Sequence, residues 1–133
     1  MAPTDILCPI DGTETSFRAL EFAAEMADQY DASLSVVHIT DEHTDATDEI
    51  VARAESLLDS VGVEADLSVS TDIDLSFRPA NHIGQTVLAM VDRTGYDHVV
   101  MGHEGSGTVE RAIIGSAAET VLRAERVPVT VIP

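Results

Sequence analysis

Short apolar runs of strand length alternate with amphipathic segments of helical spacing along this chain, and that alternation restricts its fold more than any other feature. Ile6-Leu7-Cys8-Pro9-Ile10 is apolar and followed by Asp11-Gly12-Thr13, which reads as a buried strand ending in a loop. Pro9 near its end suits a sheet edge or a strand terminus. Phe17, Ala19, Leu20, Phe22, Ala23, Ala24, Met26 and Ala27, set against Glu21, Glu25 and Asp28, predict an amphipathic helix capped by Thr15 or Ser16. Leu34 to Ile39 is a second strand, followed by a polar stretch from Thr40 to Asp48. Ile50, Val51, Ala54, Leu57, Leu58 and Val61 have helical spacing that stops at Gly62, and Ala65 to Ser70 is a third strand. Beyond a polar link from Thr71 to Pro79, Ile83, Val87, Leu88, Met90 and Val91 predict a third helix stopping near Gly95. His98 to Met101 is a fourth strand, Gly102 to Gly115 a glycine-rich segment, Ala117 to Arg126 a fourth helix and Val127 to Ile132 a last strand.

A chain of 133 residues fits one domain, expected to span 1–133. Alternating strands and helices with right-handed crossovers predict an α/β fold: a five-stranded, mostly parallel open sheet with helices on both faces, Rossmann-like in kind. In such a sheet the ligand crevice lies at the carboxyl ends of the strands, where the strand order reverses. Aromatics are only 4% of residues, with no Trp, so the core is built from Ala, Val, Ile and Leu.

Charge narrows the partners. Asp and Glu number 24 against 7 basic residues, all of them Arg, for a formal net charge of −17. Such a surface repels a phosphate backbone, which excludes DNA and RNA as expected partners. The acidic residues are scattered through a chain of full apolar content, unlike a disordered acidic tail. A folded protein of a salt-rich, halophilic cytoplasm accounts for them, because at molar salt the screening length falls to roughly 3 Å.

Cys8, alone in the chain, lies within an apolar run and reads as a buried thiol. No basic region followed by an apolar one opens the sequence, and no stretch approaches the length of a membrane span; a soluble, cytoplasmic protein is expected, with no membrane partner. His38, Asp41 and His43 invite a metal site, but the five histidines show no tight ligand spacing. One core histidine and several solvated ones is the expectation, with no metal ligand assigned. Hydrolase elbows and zinc-protease pairs are missing, and without lysine a Walker motif is impossible.

The suspicious residues lie after the first and fourth strands. In the second of these loops Gly102, Gly105, Gly107 and Gly115 permit close backbone approach to a ligand, and Gly115-Ser116 stands directly before a helix, whose N-terminus favours anions. Asp11 either caps its own turn or touches a ligand, and Ser116 can combine helix capping with phosphate contact. Glu104 and Glu110 oppose a polyphosphate there, with Arg111 the one cation in the loop.

Read as G-x2-G-x9-G-[ST], the run Gly102, Gly105, Gly115, Ser116 resembles the nucleotide-binding signature of the universal stress protein family. The resemblance covers nearly the whole chain: Ile6 to Thr13 is similar to the family's opening strand and its Asp, and Val36 to Ile39 to its second strand. Val99-Val100-Met101-Gly102 and the ending Val127 to Ile132 fit as well. It implies the adenine nucleotide alpha hydrolase-like form of the sheet and ATP or another adenine nucleotide as ligand; a nucleotide-responsive binding module, with no dedicated catalytic machinery in the sequence, is the leading expectation. Asp11 and the backbone at Ile39 are implied to lie beside the adenine, Met101 and Gly102 near base and ribose, and Gly105, Gly115 and Ser116 at the phosphates. Pro9, Ile10 and Ala117 complete the implied nucleotide contacts, and magnesium, or else potassium, is the expected bridge between phosphate and carboxylate. Ala117 replaces the family's common valine, and the link before Pro79 is longer than usual and lacks its glycine. The alternatives are an interaction module of the same fold without nucleotide, and a weak ATPase. The apolar last strand, if at a sheet edge, invites a second chain, and the resemblance also implies a homodimer through residues 127–132.

Overall fold

The computed structural model describes residues 2–71, 79–103 and 116–133, with the side chains of 79–82 and 116 excepted. Strands β1 (Asp5–Ile10), β2 (Ser33–Ile39), β3 (Asp66–Ser70), β4 (His98–Gly102) and β5 (Val129–Ile132) alternate with helices α1 (Glu14–Tyr30), α2 (Asp45–Val61), α3 (Pro79–Thr94) and α4 (Ser116–Ala124). All strand pairs are parallel, in the order β3-β2-β1-β4-β5. The expected five-stranded parallel α/β sheet is therefore the one that forms.

Period-two alternation sorts the strands' side chains onto two apolar layers. Ile6, Cys8, Ile10, Leu34, Val36 and Val100 face α1 and α2, joining Phe17, Leu20, Ala23, Ala54 and Leu58. Leu7, Val37, Ile39, Val99 and Met101 face the other way, onto Val87, Leu88 and Val91 of α3 and Ala118 and Val121 of α4. α3 and α4 meet at Gly84, where a Cβ would fall 2.5 Å from Thr120 Cβ. Only a residue without a side chain lets the two helices approach this closely.

Several boundaries differ from the sequence expectation. The cap of α1 is Thr13, not Thr15 or Ser16: its hydroxyl accepts from the Ser16 N–H at 3.1 Å, and Thr15 and Ser16 are buried inside the first turn. α2 begins at Asp45, within the stretch read as polar loop, because Thr44 and Thr47 form a reciprocal cap and Asp45 and Asp48 suit the positive end of a helix. α4 ends at Ala124, two residues before Arg126, and Glu125 just beyond it takes a left-handed φ of 54°. β5 begins at Val129 rather than Val127.

Pro9 is in the central strand rather than an edge, close to its terminus. The Asp97 N–H donates to the Asp5 carbonyl, so the odd residues of β1 turn their backbone groups toward β4. Pro9 has no N–H to offer on that side. The β1–β4 register ends at Leu7, whereas the β1–β2 register runs on to Ile10. The pairing that stops short is the one at the point where the strand order reverses.

Candidate functional site: the crevice where the strand order reverses

From β1 the chain proceeds outward through β2 to β3, and from β4 outward to β5. The carboxyl ends of β1 and β4 thus flank the reversal, the position at which open parallel sheets bind ligands. Asp11-Gly12-Thr13 leaves one side of it and Gly102-His103 the other.

Asp11 is half-buried, and its Oδ1 accepts from the Thr13 N–H at 3.0 Å and from the Thr13 hydroxyl at 2.6 Å. Thr13 then caps α1, so the carboxylate, the turn and the helix start form one chain of hydrogen bonds. Gly12 makes the turn possible: its φ is +88°, and a Cβ there would meet Ile50 Cδ1 at 2.8 Å. Behind the loop, the buried His38 lies with Nδ1 2.8 Å from the Ile10 carbonyl oxygen. A carbonyl only accepts, so that nitrogen carries the proton. His38 is the expected core histidine.

Among the sequence-predicted contact residues, Leu7's alternation puts Pro9 on the α3/α4 side of the sheet, the side of Ile39 and Met101. These three residues, on β1, β2 and β4, are all buried. Ala117, half-buried in the first turn of α4, packs against the same layer. Ile10 is buried on the opposite face, toward α1 and α2. The structure therefore brings Pro9, Ile39, Met101 and Ala117 to one side of the sheet, with Asp11 at the rim. Gly102 ends β4, and Ser116 is the first residue of α4. Gly105, Gly107, Gly115, Glu104, Glu110 and Arg111 lie outside the described residues.

Gly102 has a packing role that the sequence reading did not foresee. A Cβ on it would fall 2.9 Å from Thr15 Cγ2, 3.1 Å from the Thr15 carbonyl carbon and 3.2 Å from the Ser16 nitrogen. Its lack of a side chain lets the first turn of α1 close against the end of β4. Arg18 was missed altogether. Its guanidinium donates to the Pro133 carbonyl oxygen from Nε at 3.2 Å and from Nη2 at 3.0 Å, and to Thr15 Oγ1 at 3.1 Å. Nothing in its local sequence signals a contact 115 residues away.

The metal suggestion at His38, Asp41 and His43 is not met. His38 is turned to Ile10, and His43 Nε2 pairs with Asp48 at 2.7 Å. Among the described residues no three potential metal ligands come together. No helix among them is long and apolar enough to cross a membrane.

Strand order and the place where it reverses define the class: an open parallel α/β sheet with its candidate site at the reversal point. Comparison with known proteins names the family. The family model described as the universal stress protein family matches residues 4–133. The chain belongs to that family. It is 26% identical over 144 residues to universal stress protein MJ0531 of Methanocaldococcus jannaschii, covering 96% of this chain and 80% of the relative. Among solved structures, a universal stress protein in complex with cAMP superposes with a TM-score of 0.74 at 19% identity, covering 100% of this chain and 98% of that one. The universal stress protein from Archaeoglobus fulgidus in complex with dAMP gives 0.68 at 22% identity and 100% coverage of both chains.

Proposed function

We propose that this chain binds ATP or another adenine nucleotide in the crevice between β1 and β4, and that occupancy shifts a conformational equilibrium which a partner reads. The observation that carries the proposal is the convergence of Pro9, Ile39, Met101 and Ala117 on one side of the sheet beside Asp11. An apolar floor of that kind suits the face of a heteroaromatic base, and a carboxylate at its rim is an acceptor for the base's N–H groups. The spacing of Gly102, Gly105, Gly115 and Ser116, and the cAMP and dAMP held by the two related structures, support the same ligand class. Pro9, Ile10, Asp11, Ile39, Met101, Gly102 and Ala117 would take base and ribose, Ile10 through its backbone alone; Gly105, Gly115 and Ser116 would take the phosphates. Magnesium would offset the carboxylates of Glu104 and Glu110.

The chain acts, in this reading, as a homodimer joined along β5 in a salt-rich cytoplasm. Its charge of −17 against 7 arginines supports the salt dependence, and the edge position of β5 supports the pairing.

Two contacts favour a second reading, an interaction module without nucleotide. Asp11 already serves the turn at Thr13, and the bare α-carbon of Gly102 is accounted for by Thr15. Isothermal titration of MgATP at molar potassium chloride, beside a Gly115→Val variant, decides between them. Binding that the variant loses supports the nucleotide site; no binding by the wild type overturns it in favour of the interaction module.

A further inference from the structure

The end of the edge strand, the root of the glycine-rich segment and the first turn of α1 meet at one junction. Gly102 of β4 is in register with Ile132 of β5. The next residue, His103, fastens to the same place twice: its N–H donates to the Ile132 carbonyl at 2.8 Å, and Nδ1 lies 3.2 Å from that oxygen. One residue on, the Pro133 carbonyl takes two donors from Arg18, whose Nη2 also reaches Thr15 Oγ1. Thr15 is 3% exposed and in turn packs against the α-carbon of Gly102. The contacts close a ring: Gly102 to Ile132 through His103, Ile132 to Pro133 along the chain, Pro133 to Thr15 through Arg18, and Thr15 back to Gly102.

We propose that Arg18 is a positioning residue that couples the edge strand β5 to the start of the candidate nucleotide loop. Arg18 holds the carbonyl end of β5 against the helix turn on which Gly102 rests. A planar guanidinium is suited to this, because its fixed fork serves two acceptors on different elements at once, which a lysine ammonium does less rigidly. Displacement of β5 pulls on His103 through the Ile132 carbonyl and on Thr15 through Arg18, so the root of the loop moves with the strand. Linkage then makes the effect reciprocal: whatever pairs along β5 changes affinity at the loop, and occupancy at the loop changes pairing along β5 by the same factor. The second half of the coupling rests on the nucleotide reading above; the first half, joint motion of β5 and the loop root, does not.

The test is hydrogen exchange by mass spectrometry on wild type, Arg18→Gln and Arg18→Lys, each with and without MgATP at molar potassium chloride. Losing a net hydrogen bond or so at a partly exposed position is expected to speed exchange about fivefold. The acceleration should appear together in peptides covering 99–103 and 129–133, with the amides of β1 and β2 unchanged and partial recovery in Arg18→Lys. MgATP affinity should fall in Arg18→Gln by a similar factor, and nucleotide should protect β5 in wild type but less in the variant. Faster exchange confined to 129–133, with the 99–103 peptide and MgATP affinity unchanged, would reduce Arg18 to a local tether and overturn the coupling. No change anywhere overturns it equally. If wild type binds no MgATP, the nucleotide reading fails, while joint opening of the two peptides in the ligand-free protein still decides the coupling of strand to loop.

Discussion

The α-carbon of Gly102 lies so close to Thr15 that a β-carbon on it would sit 2.9 Å from Thr15 Cγ2 and 3.1 Å from the Thr15 carbonyl carbon. Two of the three nearest atoms are backbone of the first turn of α1, which cannot rotate out of the way. Gly102→Ala is therefore expected to destabilise the fold by about 1–3 kcal/mol, the usual range for forced overpacking. Denaturant unfolding measures it. An alanine variant as stable as the wild type would mean that α1 and β4 separate freely, and would also undercut the junction described around Arg18.

Acid should weaken the opposite end of the sheet. Asp97, in the turn before β4, accepts from the Thr4 N–H at 2.9 Å, the Thr4 hydroxyl at 2.7 Å and the Asp5 N–H at 3.0 Å. Desolvation pushes its carboxyl up, but those hydrogen bonds outweigh it and hold the group below its ordinary value of 3.8. A depressed carboxyl stabilises the fold above the unfolded value and loses that contribution as pH falls through the folded one. His98 next to it is also depressed, by burial first and against the pull of Asp97, so the fold resists its protonation and loses stability as pH falls below 6.5. Asp5 acts in the other direction, since burial and then the Asp97 charge raise its carboxyl, and protonation relieves that strain. Easing of the overall charge of −17 also changes with pH, so the informative quantity is a difference between proteins. Asp97→Asn should be less stable than wild type at pH 7, and the gap should narrow below pH 3.8. Stability curves that stay parallel from pH 7 to pH 3 would show that Asp97 contributes nothing as an ion.

Cys8 is fully buried on β1, and burial pushes its thiol up to about 12. At pH 8 the thiolate is then about one part in ten thousand, and it is the thiolate that reacts. A disulfide reagent should leave the native protein unlabelled over hours and titrate one thiol in denaturant. Rapid labelling of native protein would mean that β1 opens locally, contrary to its place at the centre of the sheet.

The fold was legible because short apolar runs and helical spacing alternate along the chain. The run Leu34 to Ile39 and the helical spacing in Phe17 to Ala27 each match the element that forms, and the alternation of the two leaves little choice but a parallel sheet. Boundaries failed where polar residues do structural work: Thr13, Thr44 and Thr47 cap helices that the apolar pattern alone places later. The site was legible only as position. Sequence order put Asp11 and Gly102 at strand ends, and the strand order β3-β2-β1-β4-β5 puts those ends side by side. The contacts that hold them, Gly102 on Thr15, Arg18 on Pro133 and His38 on Ile10, join residues 28 to 115 apart, and no local pattern encodes such pairings.

The edge of the sheet supplies the last prediction. Among the described residues β5 pairs only with β4, and the Pro128 and Ile132 carbonyls accept from the Val99 and His103 N–H groups. Backbone groups of alternate residues point to opposite sides of a strand, so the even residues of β5 are committed inward and Val129 and Val131 present their N–H and C=O groups outward. That outward row is where a second copy would pair. Sedimentation at molar salt and micromolar concentration should give a homodimer. Val131→Pro removes an outward N–H without touching the β4 ladder, and proline is tolerated on an edge in that orientation. The variant should therefore keep the wild-type circular dichroism while sedimenting as a monomer. A wild type that is monomeric under these conditions sinks the dimer outright, whereas a dimeric Val131→Pro would move the interface away from β5 to another face of the molecule.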